Sequence, residues 1–327
     1  MRRPRSRKGL SSMESASETI KRIFGDANGV LGTEIAETSA RFEAVERLKY
    51  PRPSKTRCIA VANQKGGVGK TTTAVNIAAS LALAKLKVLV IDLDPQGNAS
   101  TALGASHSSG EPSTYDVIEG RMSIAEVKQQ SSAFPTLDIV PASIDLSGAE
   151  LEIADMANRN NLLKTAVERF LESSKHHYDF VIVDCPPSLG LLVINAMCAV
   201  TEVMIPIQAE YYALEGLGQL IHTIGLVQDH FNPILTISTM LITMYDRRTL
   251  LSKQVYDEVE KHYPDILLHT TIPRSVRISE APSFEKTVLE YDPRGLGAIS
   301  YREAAYEIAK QSKRVLSELA KKQQGRN

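Results

Sequence analysis

The sequence predicts a doubly wound α/β fold, a mostly parallel sheet flanked by helices on both faces. Three observations carry that expectation. Short runs that are apolar at nearly every position recur along the chain, as strands buried on both faces require. Stretches with apolar residues at helical spacing separate them, so the runs read as parallel strands joined by helical crossovers. The first run also leads into a glycine-rich loop that opens directly onto a helical pattern.

Taken in order, residues 58–62 are the first expected strand, and Ala74, Val75, Ile77, Ala78, Leu81 and Ala82 mark the helix after the loop. Further strands are expected at 88–93, 137–140, 180–184, 203–207, 235–243 and 267–272. Residues 104–130, rich in Ser, Gly and Glu, read as a surface for partners or switching, or as a long loop. Near the end, Tyr301, Ala304, Ile308, Val315 and Leu319 form an apolar helical stripe of the kind that packs on a body, and residues 320–327 are polar. There is no internal repeat. The spacing of elements favours one domain over 57–327, preceded by a tail and linker over 1–56, partly disordered or weakly helical. That tail begins with Arg2, Arg3, Arg5, Arg7 and Lys8 and no acid. It reads as solvated, with contact to DNA or an acidic membrane as the alternative. Two weakly amphipathic stretches follow, one with Ile20, Ile23 and Phe24, the other with Phe42, Val45 and Leu48, before Pro51 and Pro53 mark a linker.

Composition narrows the class. The chain has 327 residues, 38 basic and 38 acidic, so net charge gives no general attraction to nucleic acid and any such binding must come from local patches. Cys58, Cys185 and Cys198 cannot all pair and none sits in a CxxC, which disfavours a disulfide framework or a zinc site and points to a reducing compartment. No apolar run approaches a membrane span, and the basic start lacks the apolar core of a secretory signal. A cytoplasmic protein is expected.

The run Lys65-Gly66-Gly67-Val68-Gly69-Lys70-Thr71-Thr72 has the makings of a phosphate cradle. Small residues let successive N–H groups point into one concavity, and the following helix turns its positive end to the same spot. Lys70 would reach the β and γ phosphates, and the Thr71 hydroxyl would hold Mg²⁺. A strict P-loop has glycine five positions before Gly69, where this chain has Gln64; a second lysine, Lys65, precedes the paired glycines instead. Ligands of open α/β sheets bind beyond the carboxyl ends of the strands, and residues 63–70, Asp94, Asp184, Met244 and Pro273 all follow expected strands. Asp94 could accept a proton from, or orient, a water aimed at the γ-phosphate, because phosphoryl transfer is mostly positioning and charge neutralisation. Asp92 reads as structural. The absence of Asn-Lys-x-Asp favours ATP over GTP.

With Gln64 and Thr73 at its ends, this loop resembles the deviant Walker A box of the ParA chromosome and plasmid partition ATPases, a P-loop NTPase family. Residues 88–98, Val-Leu-Val-Ile-Asp-Leu-Asp-Pro-Gln-Gly-Asn, resemble the family's second box, and 178–188 resemble its Walker B strand. Segments 243–249 and 272–282 agree as well, so the resemblance covers about 57–318. It implies an ATPase with ATP and Mg²⁺ as cofactors. The implied site has Lys65, Gly66, Gly67, Val68, Gly69, Lys70, Thr71 and Thr72 on the nucleotide, Pro273 near the adenine, Thr71 and Asp184 on the metal, and Asp94 and Lys65 as catalytic residues. Lys65 would reach the phosphates of a second subunit, making a homodimer depend on ATP. Arg248 and Arg277 align with arginines that bind double-stranded DNA without sequence preference; composition alone reads them as solvated or salt-bridged. The implied function is DNA segregation: ATP-bound dimers on the nucleoid, released when a ParB-type centromere-binding protein stimulates hydrolysis.

Three relatives with similar loops set the alternatives. A MinD-like positioning ATPase would end in a short amphipathic membrane helix, and the polar end of this chain argues against one, so no membrane partner is expected. A redox protein like the nitrogenase iron protein needs two suitably placed cluster cysteines, which 58, 185 and 198 do not supply. A tyrosine autokinase would carry a tyrosine-rich tail, absent from this sequence.

Overall fold

The computed structural model describes residues 30–173, 177–211 and 213–324, and the chain divides into two compact units, Met1–Leu48 and Lys49–Asn327. As far as it is described, the first unit is one helix, α1 (Val30–Glu46), which takes in Phe42 and Val45 and ends before Leu48. The basic start of the chain and the Ile20, Ile23 and Phe24 stretch lie outside the described residues.

The second unit opens with β1 (Arg57–Val61), α2 (Lys70–Leu83), β2 (Val88–Asp92), α3 (Asn98–Ala102), α4 (Thr114–Ile118) and α5 (Ile124–Val127). It continues through β3 (Gln129–Gln130), β4 (Leu137–Val140), α6 (Leu146–Glu152), α7 (Leu162–Ser173), β5 (Phe180–Asp184), α8 (Leu191–Ala199), β6 (Glu202–Gln208) and α9 (Ala213–His230). The rest is β7 (Thr236–Thr243), α10 (Leu250–His262), α11 (Val276–Glu280), α12 (Val288–Tyr291), α13 (Leu296–Lys310) and α14 (Ser312–Gln324).

The seven strands form one sheet in the order β3-β4-β2-β5-β1-β6-β7, parallel throughout except for the β3–β4 pair. This is the doubly wound architecture expected. Strands β1, β2, β4 and β5 are buried at every position because helices cover both faces. Alternation within β1 sorts the two cores: Ile59 and Val61 face α2, α3, α12 and α13, while Cys58 and Ala60 face the layer built by α4 to α10. At its start β1 takes in a charge, Arg57, fully buried in a two-point pair with Glu202 of β6 at 2.8 and 2.5 Å. Its remaining guanidinium nitrogen donates to the Ile308 carbonyl at 2.5 Å and to Ser312 Oγ at 3.2 Å. Every nitrogen of that head has a hydrogen-bonding partner, as burying such a pair requires.

Four readings need revision. Residues 267–272 are not a strand: the segment bridges β7 at Met240–Leu267, and Pro273 bridges Tyr245 beyond the strand's end. Between those points Leu268 and Ile272 still donate to the Met240 and Ile242 carbonyls, both at 2.9 Å, but the Thr270 N–H between them goes to the Glu307 carboxylate at 2.9 Å, as does the His269 N–H, so the ladder is interrupted. Strand β3 was not anticipated, since two glutamines carry no apolar alternation. Residues 104–130 are not one loop: α4 and α5 each begin with a capping box, Ser113 with Asp116 and Ser123 with Glu126. The Pro51–Pro53 stretch belongs to the second unit, tied down by Tyr50 Oη on the Arg302 carbonyl at 2.5 Å and by Arg52 on Asp179 at 3.0 Å. The apolar stripe of α14 is used internally, with Val315 and Leu319 buried and Lys322 Nζ on the Leu235 carbonyl at 2.9 Å. Among the described residues no helix is long and apolar enough to cross a membrane.

Candidate functional site

The sheet register assembles the site. Strand β5 lies between β1 and β2, with Asp184 level with both Val61 and Asp92. The loop leaving β1 and the turn leaving β2 therefore flank Asp184 at the carboxyl edge, where the order of the strands reverses.

The loop's conformation explains its glycines. Gly67 and Gly69 have φ of 74° and 86°, a region that only glycine enters without strain. A Cβ on Gly66, Gly67 or Gly69 would meet nothing within 4 Å, so the bend encloses open space. Its walls are fixed from neighbouring strands. Asn63 accepts from the Lys65 N–H at 3.0 Å and donates to the Pro206 carbonyl of β6 at 2.7 Å, and Thr243 at the end of β7 donates to the Val68 carbonyl at 2.9 Å. Residues Lys70 to Thr72 form the first turn of α2.

The charges converge at the same corner. Lys70 is 7% exposed and its ammonium donates to the Lys65 carbonyl at 3.2 Å. Burial pushes its pKa down, against the attraction of Asp184, Cys185 and Asp94. Asp184 is completely buried, and neither carboxylate oxygen has a hydrogen-bonding partner in good geometry, although the Thr71 hydroxyl is placed to favour its charged form. Burial first, then repulsion from Asp92, raises its pKa well above the usual carboxylate range, with Thr71 and Lys70 offsetting part of the rise. A buried, unsatisfied carboxylate beside an open cradle and a buried lysine fits a dication with a phosphate chain, and these residues would satisfy both.

Asp92 behaves differently. Ser100 donates to it from both N–H and Oγ, at 2.8 and 2.7 Å, and Ser100 Oγ also accepts from the Ala142 N–H, so Asp92 joins the ends of β2 and β4. This agrees with a structural reading. Burial raises its pKa, with those bonds opposing. Asp94 lies at the mouth of the site in a turn: its Oδ1 accepts from the Gln96 N–H at 3.0 Å, and its carbonyl accepts from the Gly97 N–H at 2.9 Å.

Lys65 is paired outside the cradle. Its ammonium lies 3.3 Å from Glu210, whose other oxygen accepts from Gln208 at 2.7 Å. Sequence reasoning missed Gln208 and Glu210, although the signal existed. Both sit at or just past the end of an expected strand, 203–207, where the carboxyl-edge rule directs attention. The remaining candidates lie beyond the end of β7 or on α11. Pro273 adjoins Tyr245 through a parallel bridge, with no contact to the loop described. Arg248 is 88% exposed and forks onto Asp246 at 2.9 and 2.8 Å, holding that carboxyl down at about 2. Arg277 is 61% exposed and touches Glu280 at 3.3 Å and the Tyr291 hydroxyl at 3.4 Å. Both arginines are thus exposed and salt-bridged at once.

A parallel sheet with a glycine-bent loop at its switch point, a buried lysine opening the next helix and a strand-end carboxylate beside it defines a P-loop nucleotide-binding protein. Comparisons refine this. A family model described as an AAA domain matches residues 56–237. The sporulation initiation inhibitor protein Soj of Bacillus subtilis is 48% identical over 253 residues, 77% of this chain and 98% of that protein. The chromosome partitioning protein ParA of Caulobacter vibrioides is 46% identical over 252 residues, 77% of this chain and 93% of that protein. Among solved structures, a cobyrinic acid a,c-diamide synthase from Mycobacterium smegmatis with bound ADP and magnesium superposes with a TM-score of 0.67 at 37% identity, covering 79% of this chain and 96% of that one. The chain belongs to the ParA/Soj family of chromosome-partitioning ATPases.

Proposed function

We propose that this protein is a DNA-positioning ATPase that binds ATP with Mg²⁺, pairs with a second copy in the ATP state, holds non-specific double-stranded DNA in that state and lets go on hydrolysis. The observation that carries the reading is the division of labour between two lysines: Lys70 buried in the cradle, Lys65 paired only with the partly exposed Glu210. An exposed ion pair is worth about 0–1 kcal/mol, so a triphosphate on a second copy can displace it.

In this reading the N–H groups of residues 66–72 and the Lys70 ammonium bind the phosphates, while Thr71 and Asp184 hold Mg²⁺. The metal supplies neutralisation of phosphate charge. Asp94 orients the attacking water or takes its proton. Pro273 lies near the adenine. Lys65 links the subunits, so dimerisation reports the nucleotide state. Arg248 and Arg277 contact DNA phosphates, each exchanging a carboxylate for a phosphate. A ParB-type DNA-binding protein stimulates hydrolysis, and the protein resides in the cytoplasm on the nucleoid. The structural relatives bearing nucleotide and the relatives named for chromosome partitioning support this reading.

A DNA-binding titration across salt with ATP, ADP and no nucleotide, on the parent and Arg277→Ala, tests it. Binding restricted to ATP and weakened in the variant is expected. Equal binding in every nucleotide state would refute the switch.

A further inference from the structure

The turn that carries Asp94 is braced by a residue outside every motif of the site. His107 packs its ring against Gly97: a Cβ at that glycine would lie 2.8 Å from Nδ1 and 2.9 Å from Cε1 of the imidazole. Gly97, with φ of 63°, closes the turn by donating to the Asp94 carbonyl at 2.9 Å and begins α3 by accepting from the Thr101 N–H at 2.9 Å. The far side of the same ring, Nε2, meets Thr101 Oγ1 at 2.8 Å. One imidazole thus touches both ends of the first turn of α3, on the element that sets where the Asp94 backbone lies.

The brace is itself anchored on both sides. Ser106 is clamped by Gln129 of the edge strand β3, which accepts from its N–H at 2.9 Å and donates to its carbonyl at 2.8 Å. Glu111 accepts from Ser106 Oγ at 2.7 Å and from the Ser108 N–H at 2.8 Å. With both neighbours fixed, His107 cannot follow α3 if that helix shifts, so it resists such a shift.

We propose that His107 is a positioning residue for Asp94, holding the 94–97 turn in the shape hydrolysis needs. The proposal rests on the ATPase reading above and on Asp94 acting at the attacking water. A group acting on a water must be placed within a fraction of an ångström, and displacement by about 1 Å costs on the order of a hundredfold in rate. His107→Ala removes the ring from Gly97 and the bond to Thr101. His107→Gln retains an amide that can serve Thr101 as either donor or acceptor.

The test has one readout without nucleotide and one with it. In the nucleotide-free protein, hydrogen–deuterium exchange at the Gly97 and Thr101 amides is expected to accelerate about tenfold in His107→Ala and to return most of the way in His107→Gln. With ATP, kcat falls about tenfold in His107→Ala with KM and ATP-dependent dimerisation unchanged, and is largely restored in His107→Gln. Gly97→Ala adds a cross-check: its kcat penalty should be smaller on the His107→Ala background, where the ring no longer meets the new methyl. Unchanged exchange, a lower melting temperature with kcat intact, or equal losses in the alanine and glutamine variants would each overturn the proposal. Asp94→Ala separates the layers: a parent that does not hydrolyse ATP overturns the ATPase reading, one that hydrolyses ATP but is indifferent to Asp94→Ala overturns the role of Asp94, and an Asp94-dependent parent indifferent to His107→Ala overturns only the brace.

Discussion

Asp184→Asn should make the nucleotide-free protein more stable while weakening its use of magnesium. Asp184 sits completely buried with both oxygens unpartnered, level with Asp92 on the neighbouring strand. An unsatisfied buried polar group costs about 1–3 kcal/mol, and more when charged; asparagine keeps the shape and part of that cost but removes the charge, so a net gain of about 1–2 kcal/mol is expected. In a domain of this size that amounts to roughly 2–6 °C in melting temperature. The pH dependence has a definite sign. A carboxyl whose folded pKa lies above its unfolded value near 3.8 binds its proton more tightly when folded, so the parent is stabilised as pH falls through the raised value and lacks that stabilisation above it. The advantage of the variant should therefore be greatest above the raised value and shrink as pH falls from there toward 3.8. Thermal unfolding without nucleotide, from pH 5 to 8, measures this directly. Adding ATP should then give a Mg²⁺-dependent rise in the parent that the variant largely lacks. A variant less stable than the parent at the alkaline end of the range, or a gap that does not narrow on acidification, would refute the picture of an unpaired buried charge awaiting a cation.

Other outcomes follow from the same geometry. If Arg248 and Arg277 hold DNA as proposed, two arginines on each of two subunits would supply about four phosphate contacts, enough to lose roughly a hundredfold in DNA affinity between 50 and 200 mM salt; removing Arg277 should lower the slope of log K against log salt by about 1.8 per dimer. Glu210→Gln releases the Lys65 ammonium from an exposed pair worth about 0–1 kcal/mol, and with two such pairs per dimer ATP-dependent dimerisation should tighten by up to about thirtyfold, as sedimentation across protein concentration would reveal. Arg57→Ala leaves Glu202 charged and unpaired in the core and should cost about 3–5 kcal/mol in urea unfolding, with little soluble protein at 37 °C.

The parts of the fold that burial dictates were legible in the sequence, and those that particular side chains dictate were not. Strands β1, β2, β4 and β5 are apolar runs because they lie under helices on both faces, and each was located to within a residue. The strand expected at 267–272 is interrupted where Glu307, distant in sequence, takes the Thr270 N–H from the ladder, and apolar character in one segment carries no trace of that. The loop was readable because Gly67 and Gly69 need positive φ, a requirement that shows as residue type. Glu210 carried only the positional signal of following a strand, and His107 carried none, since a histidine in a polar loop is an ordinary residue until folding brings it to Gly97. The two buried aspartates separate only in three dimensions: both end apolar strands, yet Ser100 satisfies Asp92 and nothing satisfies Asp184.

The central claim is that triphosphate charge joins two copies through Lys65. Sedimentation of the parent and Lys65→Ala, saturated with Mg²⁺ and a non-hydrolysable ATP analogue, tests it most directly. The parent should sediment as a dimer and the variant as a monomer that still binds the analogue. A parent that remains monomeric, or a Lys65→Ala protein that dimerises as tightly as the parent, would contradict it.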